Sequence, residues 1–233
     1  GDAEDEPINL AAMILAIGDI HGCRVALETM INLVAPTPED TVITLGDYVD
    51  RGPDSKGVID YLLEFRKTHH LVHLKGNHEC QMLDALTGNA NYEFFVTPMV
   101  GGLETIASYG GKFGSIPQEH WDFIESAGIV YESETHFFVH AGAEPQTPIM
   151  QQKAKVAHWK RFYEAEPHVS GKIMVCGHTI QGDLPANLGH SICLDTCAYG
   201  GGWLTALDVE TGKYWQTNEA GQSRTGHIDD LIE

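Results

Sequence analysis

The chain has few basic residues, with 14 Lys and Arg against 33 Asp and Glu and a formal net charge of −19. The negative electrostatic potential of such a chain repels a phosphate backbone, so we do not expect nucleic-acid binding. No apolar run approaches the roughly 18 residues that span a bilayer, and we expect no membrane association. The five cysteines are odd in number and form no CxxC pair. This disfavours a disulfide framework and predicts inert buried thiols in a reducing, cytoplasmic compartment.

The start of the chain also lacks the features of a secretory signal. Residues 1–7 are acidic and contain no basic region ahead of an apolar core. We therefore interpret residues 1–12 as a disordered leader and 13–233 as one domain, since a chain of 233 residues can bury a single sizeable core. The sequence makes no prediction of oligomeric state.

Five short segments repeat one design, in which an apolar run is followed by a sharp turn and a polar side chain. The first three also precede stretches with helical periodicity. The segments are Gly18-Asp19-Ile20-His21-Gly22, Gly46-Asp47-Tyr48-Val49-Asp50-Arg51-Gly52, Gly76-Asn77-His78-Glu79, Val139-His140-Ala141-Gly142 and Cys176-Gly177-His178. A lone Gly-Asp is usually only a turn. Its recurrence with histidines in one chain indicates a site.

The residue types in these segments indicate a metal centre. Carboxylates and neutral imidazoles are ligands that zinc, iron and manganese accept. Two such ions about 3.5–4 Å apart can clamp the attacking and leaving oxygens of a displacement at phosphorus. Asp47 lies in the middle of the first three segments and is the candidate to bridge two ions. The planar guanidinium of Arg51 matches phosphate oxygens bidentately.

Hydrophobic periodicity predicts an α/β fold. Strands are predicted at 13–17, 41–45, 71–74, 137–140, 173–176, 191–194, 203–208 and 214–217. A helix is predicted over 24–34, and two more follow the second and third strands. This βαβαβ order implies a parallel sheet with the polar segments at its carboxyl ends. Residues 97–133, with helices over 104–109 and 118–127, are predicted to form a cap beside the site, and a second sheet is predicted to pack on the first.

These motifs resemble those of the metallophosphoesterases of the serine/threonine protein phosphatase family, in their small bacterial and phage type. GDxHG, GDxVDRG, GNHE, HAG and GH occur in the family's order between about residues 13 and 217. The resemblance implies a calcineurin-like four-layer αββα sandwich with two central mixed sheets. It also implies two divalent metal ions, with manganese favoured over iron or zinc. The implied ligands are Asp19, His21 and Asp47 for one ion, and Asp47, Asn77, His140 and His178 for the other.

The same resemblance implies catalytic roles. The family's general acid falls on His78, its carboxylate partner on Asp50, and its phosphate-binding arginines on Arg51 and Arg161. Arg161 also fits a surface arginine. The implied reaction is hydrolysis of phosphomonoesters, above all phosphoserine and phosphothreonine on proteins, by direct attack of a metal-bound hydroxide. His78 would protonate the leaving alkoxide. The expected partner is a phosphoprotein or a small phosphoester.

Two other functions remain open at this point. Relatives on the same scaffold hydrolyse dinucleoside tetraphosphates symmetrically, but they tend to lack an aspartate at the position of Asp50. They also tend to end the third motif in Asp, where this chain has Glu79. A non-catalytic metal-binding scaffold would predict erosion of His78, Asp50 or Arg51, and all three are present.

Two positions have no settled role in the sequence. Glu79 fits two interpretations equally, orienting a neighbour or capping the following helix. Cys197 stands where the resemblance favours glycine. The remaining histidines match no motif and are interpreted as structural or exposed; they are His69, His70, His73, His120, His136, His158, His168, His190 and His227.

Overall fold

The computed structural model of the protein describes residues 11–233. Most of the predicted leader, residues 1–10, lies outside the described residues, and the single domain over 13–233 stays a prediction. The strands are β1 (Ile14–Ile17), β2 (Thr41–Thr44), β3 (His70–His73), β4 (Val130–Glu132), β5 (His136–Val139), β6 (Ile173–Cys176), β7 (Ala186–Asn187), β8 (Ser191–Cys193), β9 (Asp195–Thr196), β10 (Trp203–Asp208), β11 (Lys213–Thr217) and β12 (Ser223–His227). The helices are α1 (Arg24–Val34), α2 (Ser55–Phe65), α3 (Asn77–Asp84), α4 (Asn89–Phe95), α5 (Gly102–Ser108), α6 (Gln118–Ser126) and α7 (Ala154–Trp159).

The strands form two mixed sheets. The first has the order β12-β11-β10-β1-β2-β3, with β9 also paired to β10. Its strands β1, β2 and β3 are parallel, as the βαβαβ order predicts, and β10 runs antiparallel to β1. The second has the order β4-β5-β6-β8-β7, with a parallel centre of β5, β6 and β8.

The layers follow from the alternation of side chains along each strand. In β1, Leu15 and Ile17 face the cluster that packs under the helices, whereas Ala16 faces the second sheet. In β5, Phe138 faces the first sheet and Phe137 faces the opposite side. The outer side is covered by the segment that contains α7 and short 3₁₀ turns. The predicted four-layer αββα arrangement with two central mixed sheets is therefore confirmed.

The region from 97 to 133 does not belong wholly to the predicted cap. Helices α5 and α6 occur there, but the region ends in β4, which pairs antiparallel with β5 through Val130 and Val139. A strand of three residues in a polar stretch is too short to show a period of two. The end of this region is therefore part of the second sheet.

The helices of the described residues are short. The longest, α1 and α2, have 11 residues each. Within residues 11–233, no helix has the length and apolar character needed to cross a membrane.

Candidate metal centre and active site

The predicted site residues converge because parallel strands end at one edge of their sheet. In the first sheet, Asp19 follows β1, Asp47 follows β2 and Asn77 follows β3. In the second sheet, His140 follows β5 and His178 follows β6. The ligand atoms of His21, Asp47 and His78 lie within 4.8 Å of one another, and so do those of Asp47, His140 and His178. Asp47 is common to both groups.

Asp47 lies at the centre of the cluster. Its Oδ2 atom is 3.4 Å from His21 Nε2 and 3.3 Å from His140 Nε2. Its Oδ1 atom accepts a hydrogen bond from the backbone N–H of His78 at 3.0 Å. The residue is only 2% exposed. Burial opposes ionisation, but the charge of His140 and further histidine contacts hold the pKa of Asp47 well below its usual range.

Backbone carbonyls fix the orientation of two imidazoles. His21 Nδ1 lies 2.8 Å from the Val49 oxygen, and His140 Nδ1 lies 2.8 Å from the Leu45 oxygen. A carbonyl can only accept, so each Nδ1 carries its proton and each Nε2 points at Asp47. Carbonyl-anchored imidazoles of this kind are typical of metal-binding histidines.

The donor set fits a cation on physical grounds. In the neutral imidazole, His140 Nε2 would present a lone pair to two acceptors, the Asp47 carboxylate and Asn77 Oδ1 at 2.9 Å. A proton or a metal ion must lie among these lone pairs. Burial alone would lower the pKa of His21, but hydrogen bonding to Asp47 and its charge raise it to about 9. Within residues 11–233, His178 Nε2 is buried without any hydrogen-bond partner.

Asp19 is held differently from Asp47. Its Oδ2 atom is 4.0 Å from His21 Nε2. Both of its carboxylate oxygens accept the backbone N–H of His178, at 3.1 and 3.2 Å. Asp19 thus ties the end of β1 in the first sheet to the end of β6 in the second.

The backbone of the site adopts conformations that residues other than glycine rarely take. His21, Asp47, Asp50, Arg51 and His178 all have a positive φ, between 43° and 75°. Such conformations cost of order 1–3 kcal/mol each and persist where the surroundings impose them. Their concentration at these five residues indicates that the turns are shaped to aim the side chains.

Two glycines allow the turns to approach one another. A Cβ atom at Gly46, where φ is 102°, would lie 2.5 Å from the backbone nitrogen of Gly76. A Cβ atom at Gly76 would collide with Asp47 Oδ1. The glycines of the second and third motifs are therefore required by the packing of one turn on the other.

His78 and Asp50 form a buried pair beside the cluster. His78 Nδ1 lies 2.7 Å from Asp50 Oδ2, and Asp50 is fully buried. Asp50 Oδ1 accepts a hydrogen bond from the Thr105 hydroxyl at 2.7 Å, and the Thr105 hydroxyl in turn accepts the backbone N–H of Asp50 at 2.8 Å. Burial raises the pKa of Asp50 despite the hydrogen bond from His78. The pairing leaves His78 Nε2 as the nitrogen that can exchange a proton.

Glu79 performs both of the roles that the sequence left open. It accepts the N–H of Gly76 at 2.9 Å, which caps the N-terminus of α3. It also accepts the N–H groups of Asp47 and Tyr48, at 2.7 and 3.0 Å, and so fixes the neighbouring turn. Burial and the Asp47 charge raise the pKa of Glu79 to about 7, although the N–H groups of Gly76 and Asp47 and the charge of His140 act to lower it.

Of the two predicted arginines, Arg51 is held by hydrogen bonds and Arg161 is exposed. Arg51 Nη2 donates to the Met99 oxygen at 2.7 Å, and Nη1 donates to the Tyr199 hydroxyl at 3.3 Å. Its guanidinium also lies 5.2 Å from the Tyr199 ring centroid. Arg161 is exposed, but it lines the same cavity.

An open cavity of about 490 Å³ lies over the cluster. Eight of the ten predicted site residues line it: Asp19, His21, Asp47, Arg51, Asn77, His78, Arg161 and His178. Asp50 and His140 are fully buried behind them. The cavity also contains side chains to which the sequence assigned no role.

The clearest omission is Asp195, in the segment where Cys197 replaces the expected glycine. Asp195 is 4% exposed and lines the cavity, and its Oδ1 atom accepts the N–H of Cys197 at 3.1 Å. Cys197 has a φ of 57°, which explains why glycine would fit there. A carboxylate directly after the predicted strand 191–194 is the available signal, because the first two motifs also place a carboxylate beyond the end of an apolar strand.

Comparison with known proteins gives consistent results. The family model described as calcineurin-like phosphoesterase matches residues 12–182. A protein of Schizosaccharomyces pombe, named "Putative serine/threonine-protein phosphatase", is 27% identical over 167 residues, which are 70% of this chain and 50% of that protein. The chain spans half or less of the length of the first curated relatives that it matches.

Solved structures share the fold at low identity. One, described as "a putative diadenosine tetraphosphatase", has a TM-score of 0.65 and 21% identity, and the match covers 94% of this chain and 95% of that one. A protein serine/threonine phosphatase from Saccharomyces cerevisiae has a TM-score of 0.61 and 15% identity, with 95% and 81% covered.

Proposed function

The chain belongs to the calcineurin-like phosphoesterase family, and we propose that it is a metal-dependent phosphatase acting on phosphomonoesters, above all phosphoserine and phosphothreonine in proteins. The observation that carries the proposal is the buried hydrogen bond of 2.7 Å between Asp50 and His78, beside the cluster centred on Asp47. A serine alkoxide is a poor leaving group and requires a proton donor, and this pair supplies one.

The metal ligands are assigned to the side chains that converge on Asp47. Asp19, His21 and Asp47 would hold one divalent ion, and Asp47, Asn77, His140 and His178 the other. When bound, such ions activate water and neutralise phosphoryl charge. The mixed oxygen and nitrogen ligand set suits manganese, and it also accepts iron or zinc.

The chain's own groups bind the phosphoryl oxygens and deliver the proton. Two of the five N–H donors of Arg51 bond to Met99 and Tyr199, which leaves three for phosphoryl oxygens. Arg161 supplies a second cation from the segment that follows α7. Asp50 keeps the proton of His78 on Nδ1, so Nε2 is the atom that protonates the leaving oxygen.

A second candidate is hydrolysis of dinucleoside tetraphosphates. It is favoured by the similarity in length and fold to the structure described as "a putative diadenosine tetraphosphatase". It is opposed by Asp50, whose tight pairing with His78 suits a basic alkoxide more than a phosphate leaving group.

One rate comparison separates these functions. Phosphoserine peptide, phosphotyrosine peptide and diadenosine tetraphosphate would be compared as substrates in added manganese. We expect the highest kcat/KM for the phosphoserine peptide. A much higher value for diadenosine tetraphosphate would overturn the assignment, and no turnover of any of the three would contradict the phosphatase proposal itself.

A further inference from the structure

Helix α3 turns one face towards the cavity. His78, Gln81 and Asp84 follow one another at intervals of three residues, and all three line the cavity. At 1.5 Å per residue, Asp84 lies about 9 Å along the helix from His78. Because His78 faces the leaving oxygen in the proposed function, Gln81 and Asp84 lie along the path of the leaving group.

Gln81 has an unused carboxamide at this position. Its Oε1 atom is buried without a hydrogen-bond partner in residues 11–233. The side chain is half-buried and lines the cavity, so no bond is broken when the amide rotates towards a ligand. Such a carboxamide offers an acceptor to an N–H group one helical turn from His78.

Exposed apolar side chains line the same cavity as Gln81 and Asp84. Phe94, Met99, Trp159 and Ile180 line it and are 45%, 67%, 42% and 46% exposed. Arg51 and Arg161 are the two arginines among the described lining residues, and no lysine of residues 11–233 lines the cavity. Both arginines are assigned to the transferred phosphoryl group. A leaving group that reaches Asp84 therefore lies in a cavity whose lining offers it apolar side chains and a carboxylate.

We propose that Gln81 and Asp84 are specificity-determining residues that recognise a peptide leaving group. Gln81 accepts a peptide N–H next to the phosphorylated residue. Asp84 binds a cationic side chain two to three residues away, which matches about 9 Å at about 3.3 Å per extended residue. This inference rests on the proposed phosphatase function and names the substrate class of the same site.

The same arrangement disfavours polyphosphate leaving groups. After cleavage of a dinucleoside tetraphosphate, the departing half carries further phosphates along α3. Those charges would meet Asp84 in a chain of net charge −19. Discrimination against them is by repulsion, which acts alongside the attraction of a cationic peptide.

The test compares two phosphoserine peptides that differ only in having Lys or Glu three residues from the phosphoserine. An exposed pair of opposite charges contributes about 0.2–1 kcal/mol, and repulsion of the Glu peptide adds a similar amount, so the wild type should prefer the Lys peptide by about 2- to 30-fold in kcat/KM. Asp84→Asn should bring the two peptides close to parity, and Asp84→Lys should reverse the preference. The wild-type preference should shrink in about 0.5 M salt, where the Debye length falls well below 9 Å. Glu93→Gln is the matched control, because Glu93 is exposed on α4 and does not line the cavity.

Gln81→Met tests the amide separately. Loss of one neutral hydrogen bond should lower kcat/KM for both peptides by about 2- to 12-fold. Turnover of para-nitrophenyl phosphate, which has no N–H, should change by less than about twofold on the same scale.

These outcomes distinguish the roles of Gln81 and Asp84 from the proposed phosphatase function. An Asp84→Lys enzyme that is active on para-nitrophenyl phosphate but keeps the preference for the Lys peptide would overturn the role of Asp84. Equal losses on peptides and para-nitrophenyl phosphate in Gln81→Met would overturn the role of Gln81. A wild type that hydrolyses none of these phosphomonoesters would instead contradict the proposed function.

Discussion

Replacing Asp50 by Asn tests the proposed delivery of a proton by the Asp50–His78 pair most closely. The substitution keeps the shape and an acceptor oxygen, but it removes the charge 2.7 Å from His78 Nδ1. A hydrogen bond between charged groups contributes about 1.5–3 kcal/mol. If that contribution is made in the transition state, turnover of a phosphoserine peptide should fall about 10- to 150-fold. An aryl phosphate with a weakly basic leaving group should lose much less.

A double-mutant cycle makes the test specific. His78→Asn should slow the phosphoserine substrate by about 10²–10⁴-fold. Adding Asp50→Asn to that variant should reduce turnover little further, because the imidazole that pairs with the Asp50 carboxylate is already absent. Metal content measured on each variant is the control. Full additivity, or equal losses on peptide and aryl phosphate with metal retained, would contradict proton delivery by the Asp50–His78 pair.

Three further predictions concern the turns, the phosphate contact and acid stability. Gly46→Ala should lose activity and at least about 2 kcal/mol more folding stability than Gly110→Ala. Both glycines have a positive φ, but only at Gly46 of the two would the added Cβ atom clash with neighbouring backbone. Equal shifts in the thermal unfolding temperature would contradict this. Arg51→Lys should lower kcat/KM at least about tenfold for every phosphomonoester while both metals stay bound, because the bidentate geometry is lost. Normal kinetics would contradict this role of Arg51. Burial lowers the pKa of His73 in the folded protein. As the pH falls below about 6.5, the unfolded state therefore binds the proton first, and folding stability decreases. His73→Gln should flatten that fall in acid unfolding curves, and an unchanged slope would contradict the assignment.

The residues that sequence identified are those with a local signal. Asp19, Asp47 and Asn77 each follow an apolar strand and a turn, so their meeting follows from the parallel sheet alone. Thr105 and Tyr199 carry no such signal. Thr105 lies 55 positions from Asp50, and Tyr199 lies 148 positions from Arg51. Only the packed chain shows that they hold these side chains.

The same limit applies to the fold. Helix α1 has the predicted bounds because its apolar positions repeat over 11 residues. Strands β7 and β9 have two residues each, which is too few for any period. Their pairing is imposed by the neighbours β8 and β10.

Metal dependence can be measured most directly at Asp47, which is common to both groups of candidate ligands. Bound metal per chain, by elemental analysis, and phosphoserine-peptide turnover would be followed as manganese is added back to stripped wild type and Asp47→Asn. We expect no turnover without metal, recovery of turnover as two ions bind to the wild type, and weak metal binding with little turnover in Asp47→Asn. Full phosphatase activity in protein shown to be metal-free would contradict it.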